Sequence, residues 1–388
     1  MRPSDRRPRH VRIALGVALG LMPALVPSTA NARMPEGLVA SAGWASRIDR
    51  LVAGHRISVA VGFEGRYLYR RQATARRIPA SNEKLLLSMA LLERLGPSLR
   101  VHTLARSEAA PDKDGVVAGT LWILGRDDPE VDRSTVSDLA REIRAAGVTR
   151  VRGRVKGSTG YFARDWSAVG WKPYFNEDEV PFPTALTYLG NVGPGGGHID
   201  DPERRAAAAL TSRLRSRGIR VTGRPGSGRP PGDLVPLAEV QSAALKEIIR
   251  RMNVKSLNFH AEVLGKLLAR LTTGTPATIA RGASALEAFE RDQGVSSFEH
   301  HDGSGLSFAN RVRAQGIVKL LWAANAEAWG PVLRQALPTG GQGTLRDRLR
   351  DVKVRAKTAP STVSRPSRVG SGWTTGTPGG SSRSSRGG

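Results

Sequence analysis

Residues 79–96 read PASNEKLLLSMALLERLG, and this stretch decides the fold. From Ser81 onward, leucine and methionine recur at the spacing of an α-helix. Gly96 is typical of the residue that follows a helix end. The pattern predicts a helix with an apolar stripe, with Ser81 at its N-terminus and Lys84 one turn later.

The spacing of Ser81 and Lys84 suits nucleophilic catalysis, because residues three apart share one face of a helix. A serine hydroxyl is a poor nucleophile until a neighbouring base takes its proton. Lysine can be that base only if its pKa, about 10.4 in water, is lowered. Burial and a second cation both lower it, and Lys357 is the candidate cation. At a helix N-terminus, the N–H of Ser81 can also stabilise a developing oxyanion.

Two further polar clusters lie far along the chain, Ser256-Leu257-Asn258 and Lys357-Thr358. The Ser256 hydroxyl can pass a proton between Lys84 and a leaving amine, and the Asn258 amide can hold an acyl carbonyl. A simpler interpretation is that Ser256 caps a helix beginning at Phe259. Each cluster alone is weak evidence, and the three together favour a catalytic site.

Residues 1–32 have the pattern of an export signal. Five arginines precede an apolar run at residues 13–26, and Ala30-Asn31-Ala32 fits a cleavage site. A membrane anchor is the alternative, but the run is shorter than the roughly 20 residues that span a bilayer. We therefore expect an exported, periplasmic protein. The chain has no cysteine, which excludes a thiolate metal site and a cysteine nucleophile.

The net charge of +25 falls to about +17 without the leader and the C-terminal residues 359–388. Such a charge can attract nucleic acid, but export makes nucleic acid an unsuitable partner. Anionic cell-wall polymers or a membrane surface fit an exported protein better. Solvated arginine-rich faces without a partner are the other interpretation.

The pattern of apolar residues and predicted elements changes near residues 101 and 236. Apolar periodicity predicts two parts of one catalytic domain, residues 33–100 and 237–358, around an inserted αβ domain, residues 101–236. Residues 359–388 are rich in Ser, Gly, Arg, Thr and Pro and predict a disordered tail. The elements expected include a hairpin over residues 56–71, strands at 120–124, 148–155 and 352–358, a linker at 224–232, and a helix over 238–252.

In this order, the clusters resemble the Ser-x-x-Lys, Ser-x-Asn and Lys-Thr-Gly set of penicillin-binding proteins and serine β-lactamases. Other segments are similar to the penicillin-binding protein 4 type of D-alanyl-D-alanine carboxypeptidase/endopeptidase. They include LGRDDP at 124–129, DGSGLS at 302–307, GTLR at 343–346 and RAKT at 355–358. The resemblance covers roughly residues 33 to 358. It implies an α/β (α+β) transpeptidase-like catalytic domain, split by a long inserted αβ domain.

The resemblance also implies a function. It implies hydrolysis of the D-Ala-D-Ala ends of peptidoglycan stem peptides, with β-lactams as inhibitors and no metal or organic cofactor. The implied site residues are Ser81 as acylated nucleophile, Lys84 as base, Ser256 as relay, Asn258 as substrate amide binder, and Lys357 with Thr358 as carboxylate anchor.

The sequence leaves three alternatives to this interpretation. A β-lactamase would share the clusters, but the long insert argues against it. A non-catalytic exported peptidoglycan-binding protein would keep the groove without the chemistry. A metal site at His300-His301-Asp302 is disfavoured because adjacent histidines point apart and no third ligand is suitably spaced.

The third cluster departs from the family, since Ala359 and Pro360 stand where Gly and Thr are expected. The residue at position 360 would donate the second oxyanion N–H, which proline lacks. Losing one such donor typically costs about 10²–10³ in rate, so we expect an impaired enzyme.

A change of reading frame can explain this departure. If one base is inserted after codon 358, the codons permit Gly-Thr-Leu-Asp-Gly-Val-Ser-Ala-Leu-Ser-Gly-Trp for residues 359–370, which matches the family strand. Loss of one nucleotide is our hypothesis, and a genuine tail is the alternative.

Overall fold

The computed structural model describes residues 42–274 and 276–359. The predicted leader and all of the predicted tail beyond residue 359 lie outside these ranges. Helix α1 (Ala42–Leu51) belongs to a unit that ends at Arg56, and a larger unit begins at Ile57. Within the described ranges, every helix is too short or too polar to span a bilayer.

The larger unit contains both helices and strands. Its strands are β1 (Val59–Phe63), β2 (Arg66–Arg71), β3 (His102–Ser107), β4 (Val116–Val117), β5 (Leu121–Leu124), β6 (Arg150–Val151), β7 (Val155–Ser158), β8 (Arg220–Val221), β9 (Gly226–Gly228) and β10 (Val235–Gln241). Its α-helices are α2 (Glu83–Leu95), α3 (Arg133–Ala145), α4 (Phe175–Asp178), α5 (Pro202–Ser216), α6 (Leu245–Lys255), α7 (Asn258–Thr273), α8 (Ile279–Asp292), α9 (Ala314–Ala326) and α10 (Gly330–Ala336).

Helix α2 lies at the centre of a helical core. Helices α6, α7, α8 and α10 pack around it. Residues 83–92 of α2 are all buried, so burial extends well beyond the predicted apolar stripe. The buried Ser88 hydroxyl has hydrogen-bond partners. Its Oγ donates to the Lys84 carbonyl at 2.6 Å and accepts from Nδ2 of Asn253 on α6 at 2.8 Å. Complete burial fixes the helix that presents Ser81.

The first sheet is the predicted hairpin, in which β1 and β2 pair antiparallel from Val59 opposite Arg71. Helix α9 packs directly on this hairpin. A side chain at Gly62 would overlap the ring of Trp322 from α9, so glycine permits the close contact.

A second hydrophobic cluster lies between α3, α5 and two further sheets. The larger sheet has the order β10-β3-β5-β7-β9, antiparallel from β10 to β5 and parallel from β5 to β9. The smaller sheet, β4-β6-β8, is parallel throughout. The domain boundary expected at residue 236 falls inside β10, and the domain boundaries stay a prediction.

Three of the sequence expectations were wrong in detail. The helix expected over 238–252 begins only at Leu245, because the preceding residues pair with β3 as β10. The expected linker at 224–232 contains β9, which pairs with β7. The strand expected at 148–155 is two strands, β6 and β7, because the chain bends at Arg152 and Gly153 and the two strands pair in different sheets.

The strand expected at 352–358 is also not formed. Among the described residues, this segment has a single isolated bridge, between Arg355 and Thr339. The sheet that contains β1 and β2 has two strands, and beyond this bridge none of the described strands pairs with the segment that contains Lys357.

Candidate active site

Ser81 lies in a tight turn at the start of α2. The turn is a 3-10 helix, Ala80–Asn82, that leads directly into Glu83. Ala80 adopts a left-handed backbone conformation, with φ 47°, which strains a residue other than glycine. The turn leaves Ser81 half-buried, while Lys84, one turn later, is fully buried.

The amine of Lys84 has three close neighbours. Its Nζ lies 3.3 Å from Ser81 Oγ, 2.7 Å from Asn258 Oδ1 and 2.6 Å from the Ser304 carbonyl oxygen. Amide and carbonyl oxygens only accept hydrogen bonds. A neutral amine therefore gives its two N–H groups to them and directs its lone pair towards the Ser81 hydroxyl.

Burial lowers the pKa of Lys84 to about 8. The charges that act most strongly on it are carboxylates that raise the pKa, those of Asp302, Glu262, Glu179 and Glu83. Lys357 is not among these main influences, so burial, rather than the expected second cation, accounts for the lowered pKa of Lys84. Removal from water makes the amine a weaker base, so that much of it is free of its proton in mildly alkaline solution and can accept one from Ser81.

Lys357 forms the second half of the site. Its Nζ donates to Ser256 Oγ at 3.0 Å and to the Thr358 carbonyl at 2.7 Å. Burial, and then the positive charge of Lys84, lower the pKa of Lys357 to about 7. The two amines therefore interact electrostatically, and a bound anion beside Lys357 would relieve that repulsion.

Ser256 lies between α6 and α7. It is the residue after the last turn of α6 and has a left-handed conformation, with φ 56° and ψ 45°. The interpretation of Ser256 as an N-cap is wrong, because α7 begins at Asn258 and its N-cap is Leu257. The Ser256 hydroxyl instead faces Lys357, in a backbone conformation that is costly for serine.

Asn258 connects the catalytic cluster to a segment that sequence reasoning missed. Its Oδ1 accepts from Lys84, and its Nδ2 donates to Glu179 Oε2 at 2.8 Å. Glu179 is the residue directly after the short helix α4. No motif in the sequence pointed to this glutamate.

The loop at residues 302–305 holds the carbonyl that faces Lys84. The Asp302 carboxylate accepts from the N–H groups of Gly305, at 3.0 Å, and Ser307, at 2.7 Å. A carboxyl oxygen of the buried Glu262 accepts from the Ser304 N–H at 2.7 Å. A side chain at Gly305, whose φ is 82°, would overlap the Ala80 carbonyl. The DGSGLS signal was visible in the sequence, but its role as a support for Lys84 was not.

The histidines considered for a metal site are held by carboxylates. The His300 ring lies between Glu83 and Glu290, with its Nε2 2.8 Å from Glu290 Oε2, and all three side chains are buried. His301 faces Glu299 instead. In the part of the chain that the structure describes, no group of three or more potential ligands is arranged to hold a metal ion.

The six predicted site residues fall into two hydrogen-bonded groups. Ser81, Lys84 and Asn258 form the first group, and Ser256, Lys357 and Thr358 form the second. Within the described ranges, the charge of Lys84 acting on Lys357 is what connects them. Ser256 contacts Lys357 rather than Lys84, which differs from the relay geometry expected from the sequence.

The chain is similar to several known proteins. The chain is 27% identical to the D-alanyl-D-alanine carboxypeptidase of Actinomadura sp. (strain R39), over 76% of this chain and 70% of that protein. It is 30% identical to carboxypeptidase DacB of Mycolicibacterium smegmatis, over 77% and 69%. The fold is similar to penicillin binding protein 4 (dacB) from Haemophilus influenzae, with a TM-score of 0.68, 20% identity, and 76% and 82% of the two chains covered.

The model of the D-Ala-D-Ala carboxypeptidase 3 (S13) family matches residues 47–184 and 194–363. These ranges include all three clusters and the loop at 302–305. The chain belongs to the D-Ala-D-Ala carboxypeptidase 3 (S13) family.

Proposed function

We propose that the protein is a serine-type D-Ala-D-Ala carboxypeptidase/endopeptidase that acts on peptidoglycan stem peptides through an acyl-enzyme on Ser81. The observation that supports this most strongly is the environment of Lys84, which directs a buried amine of lowered pKa at the Ser81 hydroxyl. Family membership and relatives named as carboxypeptidases support the same reaction class.

Acylation begins when Lys84 Nζ takes the Ser81 proton and Ser81 Oγ attacks the carbonyl carbon of the penultimate D-alanine. The carbonyl oxygen becomes an oxyanion, which the Ser81 N–H stabilises at the start of α2. When the C–N bond breaks, the leaving amine takes a proton from Ser256. Ser256 Oγ accepts from Lys357, so its own hydrogen remains free to donate. For the proton held by Lys84 to replace it, Ser256 must come within hydrogen-bond distance of Lys84 when substrate binds, because in this structure its hydroxyl is bonded to Lys357 instead. Water then releases the acyl group through the reverse proton transfers.

Asn258 and the second group hold the substrate in this mechanism. One N–H of Asn258 is bonded to Glu179, which leaves the other to bind the acyl carbonyl or amide. Lys357 and Thr358 bind the terminal carboxylate. Because the pKa of Lys357 is lowered to about 7, an arriving carboxylate would raise it again and keep the amine charged.

The sequence after Thr358 indicates that the acylation rate is low. Pro360 offers no N–H to the oxyanion, and Ala359 adds a methyl group where glycine is expected in the family. We therefore propose that acylation is impaired by about 10²–10³ relative to an intact site.

Labelling with a fluorescent penicillin tests the proposed function. The protein should form a covalent adduct that disappears in Ser81→Ala, with the Ser81→Ala protein unchanged in melting temperature. A well-folded protein that forms no adduct after long incubation would support the non-catalytic peptidoglycan-binding alternative. Release of D-alanine from a D-Ala-D-Ala-terminated stem peptide, with penicillin turned over slowly, would separate a peptidase from a β-lactamase.

We also propose that the protein is exported to the periplasm and meets anionic wall polymers or a membrane surface there. The leader pattern and the basic net charge support this. Recovery of the mature protein with Arg33 at its N-terminus is the expected result, and a retained Met1 in the exported protein would contradict it.

A further inference from the structure

Glu179 brings a carboxylate from the segment around α4 into the catalytic cluster. Its Oε2 accepts from Asn258 Nδ2 at 2.8 Å. The other three carboxylates that act on Lys84, those of Glu83, Glu262 and Asp302, are fully buried, whereas Glu179 is half-buried. Of these four carboxylates, Glu179 is therefore the one that solvent can reach.

The contact permits one orientation of the Asn258 amide. Lys84 donates, so the atom that faces it must be the amide oxygen. The Glu179 carboxylate accepts, so the atom that faces it must be the amide nitrogen. Rotation of the amide by 180° would break both hydrogen bonds, and the second N–H of Asn258 is thereby held in a constant direction.

The backbone of Glu179 is itself anchored to the site. Its N–H donates to the carbonyl of Phe175 at 2.8 Å. The Phe175 ring packs edge-on against Trp171, whose Nε1 donates to Asp302 Oδ2 at 2.7 Å. Asp302 in turn holds the loop that presents the Ser304 carbonyl to Lys84. Asp302 therefore supports both acceptors of Lys84, the Ser304 carbonyl directly and the Asn258 amide through Trp171, Phe175 and Glu179.

Charge provides a second link between Glu179 and Lys84. The Glu179 carboxylate raises the pKa of Lys84, against the larger effect of burial. Burial raises the pKa of Glu179, and the charge of Lys84 opposes that rise. Loss of the carboxylate would leave Lys84 neutral at a lower pH than before.

We propose that Glu179 is a positioning residue for the acylation of Ser81. It fixes the Asn258 amide between Lys84 and the substrate, and its charge raises the pH at which Lys84 becomes a base. This rests on the proposed function, because it assigns Glu179 a part in that reaction. Glu179 itself takes no proton and forms no bond to the substrate in this proposal.

The test compares Glu179→Gln, Glu179→Leu and the control Asp178→Asn, which removes an acid one residue away. The second-order rate of acylation by a fluorescent penicillin is measured from pH 5 to pH 10, together with the melting temperature. Both Glu179 variants should shift the acidic limb, which is near pH 8 in the parent, to lower pH. Glutamine can still accept from Asn258, so its plateau rate should stay within about 3-fold. Leucine cannot, and its plateau should fall about 10-fold to 100-fold.

Asp178→Asn should change neither the limb nor the plateau. If both Glu179 variants keep the parental limb and plateau while Ser81→Ala abolishes labelling, the positioning role is wrong and the proposed function stands. A lower melting temperature in Glu179→Leu with an unshifted limb would mean a structural role only, which also overturns the proposal. If the parent protein itself is never acylated, the proposed function fails and this inference fails with it.

Discussion

At the scale of single residues, the site combines two amines that would both be charged in water. Burial lowers the pKa of Lys84 to about 8 and that of Lys357 to about 7. The roles then follow from the neighbours. Two pure acceptors surround Lys84 and leave its lone pair for Ser81, whereas Lys357 faces a hydroxyl and a carbonyl and is placed to meet an anion.

Two substitutions of Ser256 separate the effect of its hydroxyl on catalysis from the effect of its strained backbone on stability. Ser256→Ala and Ser256→Gly both remove the hydroxyl that faces Lys357, so we expect both to lower the acylation rate by about 10²-fold or more. Glycine tolerates φ 56° without penalty, so Ser256→Gly should be more stable than Ser256→Ala by about 1 kcal/mol. Acylation kinetics and thermal unfolding measure the two effects. Full activity in either variant would remove Ser256 from the proton path.

At the scale of elements, the loop at residues 302–305 fits against the turn that presents Ser81. Gly305 makes this possible, because a side chain there would overlap the Ala80 carbonyl. Glu262 of α7 holds the same loop by its Gly303 and Ser304 N–H groups. The geometry of Lys84 therefore depends on how three separate elements pack.

The close approach at Gly305 predicts a large effect of one methyl group. Gly305→Ala should destabilise the protein by about 4 kcal/mol or more and abolish acylation, since overlap adds to an unfavourable positive φ. Gly147→Ala is the matched control. Gly147 has φ 83° and open space at its Cβ position, so this change should cost only about 1–2 kcal/mol and leave acylation intact. Equal losses of stability in denaturant unfolding would contradict the packing argument.

Glu262 predicts a dependence of stability on pH. Burial raises its pKa from 4.5 to about 8, so between these values the folded protein holds a proton that the unfolded chain has lost. This proton makes the free energy of unfolding fall as pH rises through that window. Glu262→Gln keeps an acceptor for the loop N–H groups but has no proton to lose. Its melting temperature should match the parent near pH 5 and exceed it at pH 8.5, and parallel curves would refute the assignment.

At the scale of the whole molecule, the sequence was sufficient for parts that depend on local pattern. The Ser81 helix, the hairpin β1–β2 and the residues of the three clusters needed only periodicity and motif. Glu179 could not be found in this way, because its contact with Asn258 joins residues 79 positions apart without a motif. Residues 238–241 of β10 were expected to be helical, but their pairing with β3 overrides the local helical pattern.

The residues after Thr358 give a prediction for the complete site. Replacing Ala359→Gly and Pro360→Thr together restores an N–H for the oxyanion and removes a methyl group. We expect acylation by penicillin to become about 10²–10³ faster, with Ser81→Ala in the same background still inactive. An unchanged rate would show that the missing donor does not limit this chain. Resequencing of codons 358–370 separates loss of one nucleotide from a genuine tail.

Acylation of Ser81 is tested most directly by the mass of one tryptic peptide after reaction with penicillin. Cleavage after Arg77 and Lys84 releases residues 78–84, IPASNEK, in which Ser81 is the only serine. This peptide should gain the mass of one penicilloyl group, with fragmentation placing the added mass on Ser81. An unmodified peptide from protein that is acylated elsewhere, or a folded protein that is not acylated at all, would contradict it.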